Sequence, residues 1–476
     1  MNKNIKNICC IGAGYVGGPT MAVIAFKCKN INVNVVDTNQ QRVDAWNAND
    51  LNKLPIFEPG LDKIIAETRN KNLFFSTKIE KNISNADIIF ISVNTPTKTK
   101  GLGAGKASDL KWIELCARQV AKFAIGHTIV IEKSTLPVRT AEVIKQILNE
   151  SQSKYSVDKE KKTFDILSNP EFLAEGSAIQ DLLNPDRVLI GGDNKKAIDS
   201  LSEIYENWIV KEKILHTNLW SSELAKLTAN AFLAQRISSI NTISVLCEKT
   251  GANVKQVSKA IGLDHRIGNK FLDAGPGFGG SCFQKDLLNL VYLSESLGLN
   301  EVAEYWNQVI EINNWQRKRI SKLIIEKLFG TVGGKKIGIL GFSFKANTND
   351  TRESSAIQIS RDLLEEGAFL IIHDPKVNIK DIEYYLGPNQ KRDMQIDSET
   401  KGYGCWSFTD NLEKIYQDSD ALVVITEWSK YSQIKWDIAS KNMRRPGWVF
   451  DTRGIINIDE VKKNGLKIWV VGNGEL

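Results

Sequence analysis

Short apolar runs alternate with helical patterns through the first third of the chain. Segments with the length and composition of buried strands lie at 5–11, 33–36, 88–93, 129–131, 165–167 and 188–190. Between the first two, apolar residues occur at helical spacing, from Met21 to Phe26. Strands that alternate with helices build a parallel sheet covered by helices on both faces. The pattern therefore predicts an α/β domain with a doubly wound sheet over residues 1–217.

The middle of the chain, residues 218–330, is predicted to be helical. A helical pattern extends over 221–249 without proline or interior glycine, and Gly251 ends it. Between Leu224 and Cys247 only Lys226 and Arg236 are charged, and apolar residues occupy nearly every face. A helix of this kind is typically buried among others, so we expect a central helical domain that also supplies a dimer contact.

The last third, residues 331–476, repeats the strand-helix-strand pattern of the first. Apolar runs at 337–340 and 369–372 flank a helical pattern at 357–364. The turn after the first run, 341–345, lacks the three glycines of a dinucleotide turn. We therefore expect two Rossmann-like doubly wound domains joined by the helical domain, the second domain having a different ligand.

Three cations follow predicted elements of the last third, at Lys345, Arg352 and Arg453. If they converge on one crevice, they suit a nucleotide or a sugar diphosphate, because guanidinium and ammonium groups bind phosphate oxygens. The alternative is a set of unrelated surface charges.

A three-glycine turn follows the first predicted strand. It consists of Gly12, Ala13, Gly14, Tyr15, Val16 and Gly17, and Asp37 ends the second strand twenty residues later. In a strand-turn-helix-strand setting this spacing is typical of dinucleotide binding: the glycines admit the pyrophosphate to a helix N-terminus, and the acid binds a ribose hydroxyl. An acid would repel a 2′-phosphate, so the pattern predicts NAD as the cofactor.

A thiol stands where a glycine-rich loop, 275–280, enters a predicted helix. Ser281 and Gln284 fit a capping box, which makes Cys282 the first helical residue and places Asp286 one turn further on. The helix N-terminus favours the thiolate, the form that attacks a carbonyl carbon. We therefore predict that Cys282 is a nucleophile; the alternative is a small core cysteine beside a solvated aspartate.

Further candidates are polar residues in the predicted helix and after strand ends. Lys226 and Asn230 are spaced i, i+4 and could hold an alkoxide or a hydrated aldehyde, although a lysine reaching towards solvent beside a packing asparagine fits as well. Thr135, Glu171 and Glu175 follow predicted strands, where turn or cap residues are equally common.

Composition narrows the class of protein. The 476 residues carry 62 basic and 56 acidic side chains in mixed order, a net charge of +6, which suits small anionic ligands better than nucleic acid. The seven cysteines contain no C-x-x-C pair, and the four histidines show no metal-ligand spacing with them, so no metal site is expected. We expect no membrane association and a reducing, cytoplasmic location.

A nucleotide-dependent dehydrogenase that carries a nucleophilic thiol points to a four-electron oxidation. A thiol captures an aldehyde as a thiohemiacetal, which loses hydride to give a thioester that water hydrolyses. We therefore expect a primary alcohol to be converted to a carboxylate with consumption of two NAD.

The chain resembles the UDP-glucose/GDP-mannose dehydrogenase family over essentially its whole length, and it is most similar to the animal-type branch. The matching motifs are the glycine turn with Asp37 and the segments 93–97, 132–135, 169–176, 221–241, 266–270, 277–286 and 351–355. The resemblance implies oxidation of UDP-glucose to UDP-glucuronate, NAD as cofactor and a homo-oligomer built from dimers, often a hexamer.

The resemblance also assigns roles to residues. Cys282 is implied as the nucleophile, Lys226 and Glu171 in proton transfer, and Asn230 and Asp286 in positioning the hydroxyl or water, with Thr135 beside them. The implied NAD contacts are Gly12, Ala13, Gly14, Tyr15, Val16, Gly17, Asp37, Arg42, Val93, Asn94, Thr95, Pro96, Thr97, Ser134, Thr135, Glu175, Cys282, Lys285 and Arg352. The implied substrate contacts are Glu171, Phe172, Leu173, Ala174, Glu175, Lys226, Asn230, Arg266, Asp273, Gly275, Phe278, Gly279, Phe344, Lys345 and Arg453, with Arg266 reaching a neighbouring subunit.

Two alternatives remain open. Another nucleotide-sugar dehydrogenase, acting on GDP-mannose or a UDP-N-acetylhexosamine, has the same parts. A non-catalytic nucleotide-binding redox sensor would also carry a thiol beside a dinucleotide fold.

Overall fold

The computed structural model describes residues 5–134, 139–155, 162–388 and 404–474, with the side chains of 151–155 excepted. The chain forms two compact units. The first comprises Met1–Ala229 with Leu288–Asn300, and the second comprises Asn230–Leu287 with Glu301–Leu476. No described helix is both long and apolar enough to cross a membrane.

The described strands have the following bounds: β1 Asn7–Ile11, β2 Asn32–Val36, β3 Leu73–Ser76, β4 Ile88–Ile91, β5 His127–Glu132, β6 Thr163–Ser168, β7 Val188–Gly192, β8 Ile214–Thr217, β9 Lys336–Leu340, β10 Phe369–His373, β11 Cys405–Phe408, β12 Ala421–Val424, β13 Trp448–Asp451 and β14 Lys467–Val470.

The described α-helices have the following bounds: α1 Gly17–Lys27, α2 Gln40–Asn47, α3 Leu61–Thr68, α4 Ile79–Ser84, α5 Lys111–Phe123, α6 Thr140–Tyr155, α7 Ala178–Leu183, α8 Lys195–Tyr205, α9 Leu219–Thr250, α10 Val254–Gly262, α11 Phe283–Ser296, α12 Asn300–Lys327, α13 Ser355–Glu365, α14 Ile379–Leu386, α15 Ser429–Ser432, α16 Trp436–Asn442 and α17 Ile458–Lys463. Short 3-10 turns lie at Leu51–Lys53, Lys211–Lys213 and Leu412–Ile415.

The first unit contains an eight-stranded sheet in the order β3-β2-β1-β4-β5-β6-β7-β8. Its first six strands follow the order 3-2-1-4-5-6 of doubly wound dinucleotide folds. β1 and β4 are buried on both faces, with Ile8 and Phe90 in one apolar core and Cys9 and Ile91 in the other. Strands covered on both faces have continuous apolar sequences, which is why the pattern identifies them.

One pair of strands in this sheet is antiparallel, a direction that the sequence pattern does not predict. Among the described strands of this sheet, β6 and β7 pair antiparallel, through Leu167 with Gly192 and Ser168 with Gly191, and the other pairs are parallel. Either direction buries the same side chains, so apolar periodicity does not determine it.

The second unit contains a six-stranded sheet in the order β11-β10-β9-β12-β13-β14, and its described pairs are all parallel. Counted from β9, this order is again 3-2-1-4-5-6. The predicted second Rossmann-like domain is therefore confirmed.

In each sheet, an aspartate that follows the second strand accepts hydrogen bonds from main-chain amides of the turn after the first strand. In the first sheet, Asp37 Oδ2 accepts from Ala13 N at 2.9 Å. In the second, Asp374 Oδ2 accepts from Phe342 N at 2.8 Å and Ser343 N at 3.0 Å, and also from Ser343 Oγ and Trp428 Nε1. The main-chain amides of Lys376 and Val377 donate to its other oxygen. Since a carboxylate has about four lone-pair sites, the acceptor capacity of Asp374 is filled by the protein itself.

The long central helix is confirmed as α9, which extends over 32 residues. The expectation that its apolar faces are covered is wrong for the single chain: Phe232 is 54% exposed and Leu246 is 60% exposed. Tyr305 and Trp315 on α12 are exposed as well. An exposed apolar surface of this kind is typical of a protein-protein contact.

Replacement of Gly341 by alanine is expected to destabilise the second unit. Gly341 has a φ of +97°, and an added Cβ would lie 2.3 Å from Thr426 Cβ. Backbone strain and overpacking together should lower the free energy of unfolding by about 3 kcal/mol in urea denaturation. Gly330→Ala is the control, because Gly330 has a φ of +77° and nothing within 4 Å. Its loss should be only about 1 kcal/mol, and equal losses in both variants would contradict the clash.

Candidate active site

The glycine turn of the first sheet brings the main chain close to its neighbours. Gly12 has a φ of +109°, and a Cβ there would lie 2.4 Å from Ser92 O, so a side chain is excluded. Gly14 has no atom within 4 Å on the corresponding side, which leaves space for a ligand to approach the main chain. α1 begins at Gly17 and directs its N-terminus to this turn, as pyrophosphate binding requires.

Asp37 lies against this turn with Arg42 beside it. Its Oδ1 accepts from Asn39 N at 2.9 Å, and its Oδ2 lies 3.0 Å from Arg42 Nη1. Trp46 Nε1 donates to Ala13 O at 3.0 Å and fixes the turn from the other side. The structure thus brings Asp37, Arg42 and the turn together in an arrangement that fits the ribose of a dinucleotide.

The ends of β4 and β5 are joined by a hydrogen bond. Ser134 Oγ donates to Val93 O at 2.7 Å, so Ser134 lies beside the start of the predicted cofactor segment Val93, Asn94, Thr95, Pro96 and Thr97. Thr135 lies outside the described residues.

The loop after β6 carries Glu171, Phe172, Leu173, Ala174 and Glu175. Glu58 holds its far end, accepting from Gly176 N at 2.7 Å and from Ala178 N at 3.1 Å. Ala174 N donates to Asp181 Oδ2 at 2.9 Å. Glu175 is therefore fixed on a short, capped segment that precedes α7.

Lys226 and Glu171 form a buried ion pair in the first unit. Lys226 Nζ lies 3.3 Å from Glu171 Oε2, and each side chain is only 4% exposed. The ammonium also lies 5.5 Å from the centre of the Phe172 ring. Desolvating two charges is expensive, and a buried pair at a strand end is a candidate for acid-base chemistry. The predicted interpretation of Lys226 as a lysine reaching solvent is wrong.

A second buried lysine next to this pair was not identified as a candidate from the sequence. Lys133 Nζ donates to Asn169 Oδ1 at 2.9 Å and lies 3.4 Å from Tyr205 OH. Tyr205 OH donates to the same amide oxygen at 2.7 Å. Burial lowers the pKa of Lys133 to about 8, an effect that Glu171 opposes and Lys226 reinforces. Its position at the end of a strand whose last five residues are buried was the available signal.

The thiol of Cys282 lies at the start of α11 in the second unit. The helix begins at Phe283, and Cys282 O accepts from Asp286 N at 2.9 Å, so Cys282 is the N-cap residue and not the first helical residue. Gln284 Oε1 is buried without a hydrogen-bond partner among the described residues, so the predicted capping box is wrong. The thiol remains at the positive end of the helix dipole.

Exposure separates Cys282 from most other thiols of the chain. Cys9, Cys10, Cys28, Cys116 and Cys247 are buried, whereas Cys282 and Cys405 are partly exposed. Burial raises the pKa of each of the five buried thiols, to about 11 for Cys28 and about 12 for Cys10. Those five are held in the protonated, unreactive form.

Asp286 is fully buried and has two polar neighbours in the second unit. Asn230 Nδ2 donates to its Oδ2 at 2.6 Å, and Lys285 Nζ lies 2.8 Å from its Oδ1. Asn230 and Lys226, which the sequence spacing paired with one another, thus each contact a different carboxylate. The structure brings Asn230, Asp286 and Lys285 together within one turn of Cys282.

Buried polar side chains hold the main chain of the glycine loop, and the sequence analysis missed them. Gly275 N donates to Asn241 Oδ1 at 2.8 Å, and Gln316 Nε2 donates to Gly275 O at 2.8 Å. Asn313 bonds to both N and O of Phe278. These residues occupy buried positions of α9 and α12, and polar residues at predicted core positions of a helix are the signal that would have found them.

Arg453 joins the glycine loop to the turn after β9. Its Nη2 donates to Phe344 O at 3.0 Å, and its Nε lies 3.1 Å from Glu427 Oε2. A Cβ on Gly275 would lie 3.3 Å from its Nη1. Lys345 lies beside the Phe344 ring. The structure therefore brings Arg453, Lys345 and Gly275 together.

The other predicted contacts of the second unit are engaged by neighbouring protein groups or face solvent. The Arg352 guanidinium is bonded to Asp350 at 2.7 and 2.8 Å, although its carbonyl accepts from Gly280 N. Arg266 is 78% exposed and pairs with Asp264. Asp273 is exposed, whereas Gly279 lies against Phe344 and Glu353.

The sheet order, the three-glycine turn and the acid at the end of β2 are those of a dehydrogenase that uses a nicotinamide dinucleotide. Models of the UDP-glucose/GDP-mannose dehydrogenase family match the chain in three parts: the NAD binding domain at 6–209, the central domain at 220–315 and the UDP binding domain at 338–458. The chain belongs to this family and is an NAD-dependent dehydrogenase.

Similar proteins come from distant organisms. A UDP-glucose 6-dehydrogenase of Gallus gallus is 53% identical, with 98% of this chain and 93% of the relative covered. UDP-glucose 6-dehydrogenase 1 of Glycine max is 52% identical, covering 98% and 96%. The solved structure of a UDP-glucose dehydrogenase from Pyrobaculum islandicum is 29% identical with a TM-score of 0.83, covering 99% and 98%.

The pH dependence of stability should reveal the buried Lys133. The unfolded chain holds this proton to about pH 10.5 and the folded chain only to about pH 8, so the unfolded state binds more protons between these values. The free energy of unfolding of the wild type should therefore rise with pH in that window relative to Lys133→Met, by at most about 1.4 kcal/mol per unit.

Urea denaturation at pH 7.5, 8.5 and 9.5 measures this difference. Tyr205→Phe is the control, because it removes a neighbour of Lys133 and keeps the titrating group, so its slope should match the wild type. Parallel curves for wild type and Lys133→Met would rule out the depressed pKa.

Proposed function

We propose that the protein oxidises the primary alcohol of UDP-glucose to the carboxylate of UDP-glucuronate, consuming two NAD and one water. The observation that carries the proposal is Cys282, a partly exposed thiol at a helix N-terminus with the buried acid Asp286 one turn further on. Oxidation of an alcohol to an aldehyde makes no use of a thiol, whereas a thiol can capture the aldehyde covalently and carry it to the acid. The relatives named UDP-glucose 6-dehydrogenase support the choice of sugar nucleotide.

The buried pair Lys226 and Glu171 is assigned to proton transfer. A hydroxyl that is to lose hydride must also lose its proton, and a desolvated lysine-carboxylate pair can accept that proton and return it later. Asn230 and Asp286 are assigned to orienting the hydroxyl and, afterwards, the attacking water. When bound, NAD supplies the acceptor for the hydride released in each oxidation.

Cys282 is assigned to the covalent step. Its thiolate forms a C–S bond to the aldehyde carbon, and the carbonyl oxygen takes up a proton to give a thiohemiacetal. Loss of hydride and of the hydroxyl proton leaves a thioester. Water then adds to the thioester carbon and the C–S bond breaks, releasing the carboxylate and restoring the thiol.

Binding is divided between the two sheets in this proposal. NAD is held by the turn from Gly12 to Gly17, by Asp37 and by the segments after β4 and β5, with Thr135 and Glu175. The UDP part is held by Phe344, Lys345 and Arg453, and the match of the UDP binding domain to 338–458 supports this assignment. The domain limits 1–217, 218–330 and 331–476 contain the three matched segments and are proposed on that basis.

We also propose a homo-oligomer built from dimers, a hexamer by analogy with the animal-type branch. The exposed apolar side chains Phe232, Leu246, Tyr305 and Trp315 on α9 and α12 support a contact between copies. Arg266, which is exposed and paired with its neighbour Asp264, is assigned to a neighbouring subunit's substrate. The seven free cysteines support a reducing, cytoplasmic location.

Substrate and stoichiometry test the reaction directly. With limiting UDP-glucose and excess NAD, two NADH per sugar nucleotide should form, followed by absorbance at 340 nm. GDP-mannose and the UDP-N-acetylhexosamines should turn over at least about 100-fold more slowly, because each loses or clashes with polar contacts. Turnover with GDP-mannose alone, or one NADH per UDP-glucose, would overturn the proposal.

Substitution of the thiol tests the covalent step. Cys282→Ala should lower net turnover by about 1,000-fold or more while NAD binding, measured by calorimetry, is retained. Cys405→Ser is the matched control, because Cys405 is the other partly exposed thiol. Unchanged NADH production by Cys282→Ala would contradict the assignment of Cys282 as the nucleophile.

A further inference from the structure

A buried arginine of α12 bonds to the main chain of two separate segments. Arg317 is 7% exposed, and its Nη2 donates to Phe278 O at 2.6 Å and to Glu353 O at 2.7 Å. Its Nη1 lies 3.7 Å from the carboxylate of Glu353, which is 46% exposed. Its Nε is buried without a partner among the described residues. Burying a guanidinium costs desolvation free energy. We therefore expect the planar array of N–H donors to hold the two segments at a defined position.

The two segments are the glycine loop and the chain that precedes α13. Phe278 stands four residues before Cys282, and Glu353 directly follows Arg352. The segments are in contact without intervening side chains: a Cβ on Gly279 would lie 2.6 Å from Glu353 O, and Gly280 N donates to Arg352 O at 2.9 Å. Arg317 satisfies one carbonyl on each side of this contact.

The neighbouring Asn313 shows what is particular to Arg317. One turn earlier on α12, Asn313 bonds to Phe278 N at 2.7 Å and to Phe278 O at 3.1 Å, so it fixes the loop alone. Among the described residues no hydrogen bond joins Asn313 to Glu353. The bridge to the second segment therefore belongs to Arg317.

We propose that Arg317 is a positioning residue that couples the Cys282 thiol to nucleotide bound on the second sheet. The Glu353 segment packs against Phe344 through Gly279, and Phe344 precedes Lys345 and accepts from Arg453. A diphosphate bound by Lys345 and Arg453 thus contacts the main chain of this region. Arg317 connects that main chain, through Glu353, to the loop that leads into Cys282. This inference rests on the proposed function for its ligand, a uridine diphosphate group, and adds a coupling between that group and the thiol.

The coupling predicts a selective defect when the bridge is lost. Arg317→Met should lower kcat about 100-fold, because a displacement of about 1 Å at a reacting atom costs that much, while KM for UDP-glucose changes less than threefold. Arg317→Lys keeps the charge without the planar fork and should restore part of kcat. Arg361→Met is the matched control: among the described residues its exposed guanidinium donates to the main-chain carbonyl of Tyr385 alone, and kcat should not change.

Alkylation of Cys282 by iodoacetamide, followed by peptide mass spectrometry, measures the coupling without turnover. In the full-length wild type and in Arg361→Met, UDP alone should change the alkylation rate at least threefold. In Arg317→Met the rates with and without UDP should agree within twofold, and thermal unfolding establishes that each variant is folded. If the methionine variant does not fold, Arg317→Lys carries the test, with a response to UDP smaller than that of the wild type.

A response to UDP in the Arg317 variants equal to that of the wild type would overturn the inference, as would a wild-type thiol that does not respond to UDP. The proposed function fails by a separate result, namely no NADH from UDP-glucose with the wild type. The two failures are therefore distinguishable.

Discussion

The hydrogen bond from the turn after the first strand to the acid after the second strand underlies both halves of this protein. It brings the crevice end of each sheet to a fixed geometry, through Asp37 in the first unit and Asp374 in the second. In the first turn the residue that donates to Asp37 is the small Ala13, and the next residue, Gly14, has no neighbouring atom within 4 Å of an added Cβ. Around Asp374, protein donors fill the carboxylate, and Phe342 is buried. One fold therefore serves two ligands, because the turn sequence decides whether the acid is available to a ribose.

Each unit holds a pair of candidate polar groups that is removed from water. Lys226 with Glu171, and Asn230 with Asp286, are buried pairs, and Lys133 lies behind the first of them. Each pair costs desolvation free energy and contributes little net stability, but its members are held in place before a substrate arrives. Groups fixed in this way need no reorganisation during the reaction, which is the condition for strong electrostatic catalysis.

The loop before Cys282 has few side chains of its own, and helices supply the restraint that it lacks. Its carbonyls and amides bond to Asn241, Asn313, Gln316 and Arg317, so a flexible sequence has a defined conformation in the folded unit. A glycine loop permits the main chain to approach a ligand, and the surrounding amides remove the entropy that glycine would otherwise retain. These side chains therefore also fix the position of the Cys282 thiol at the end of the loop.

Features that depend on local periodicity and spacing could be predicted from the amino-acid sequence alone. It identified the doubly wound sheets, the glycine turn with Asp37, the long helix α9, and the placement of Cys282 at a helix start to within one residue. These follow from repeats of two or 3.6 residues and from short turns.

Only the tertiary structure decided which distant groups meet. Several interactions join residues that are far apart in the chain. They are the antiparallel pairing of β6 with β7, the hydrogen bond from Asn230 to Asp286, and the contacts of Lys133 and Arg317. No local pattern encodes such a partner, because the spacing of residues along the chain can indicate that a position is buried but not which distant residue it meets. Its role is fixed only when folding removes water and leaves one set of acceptors within reach.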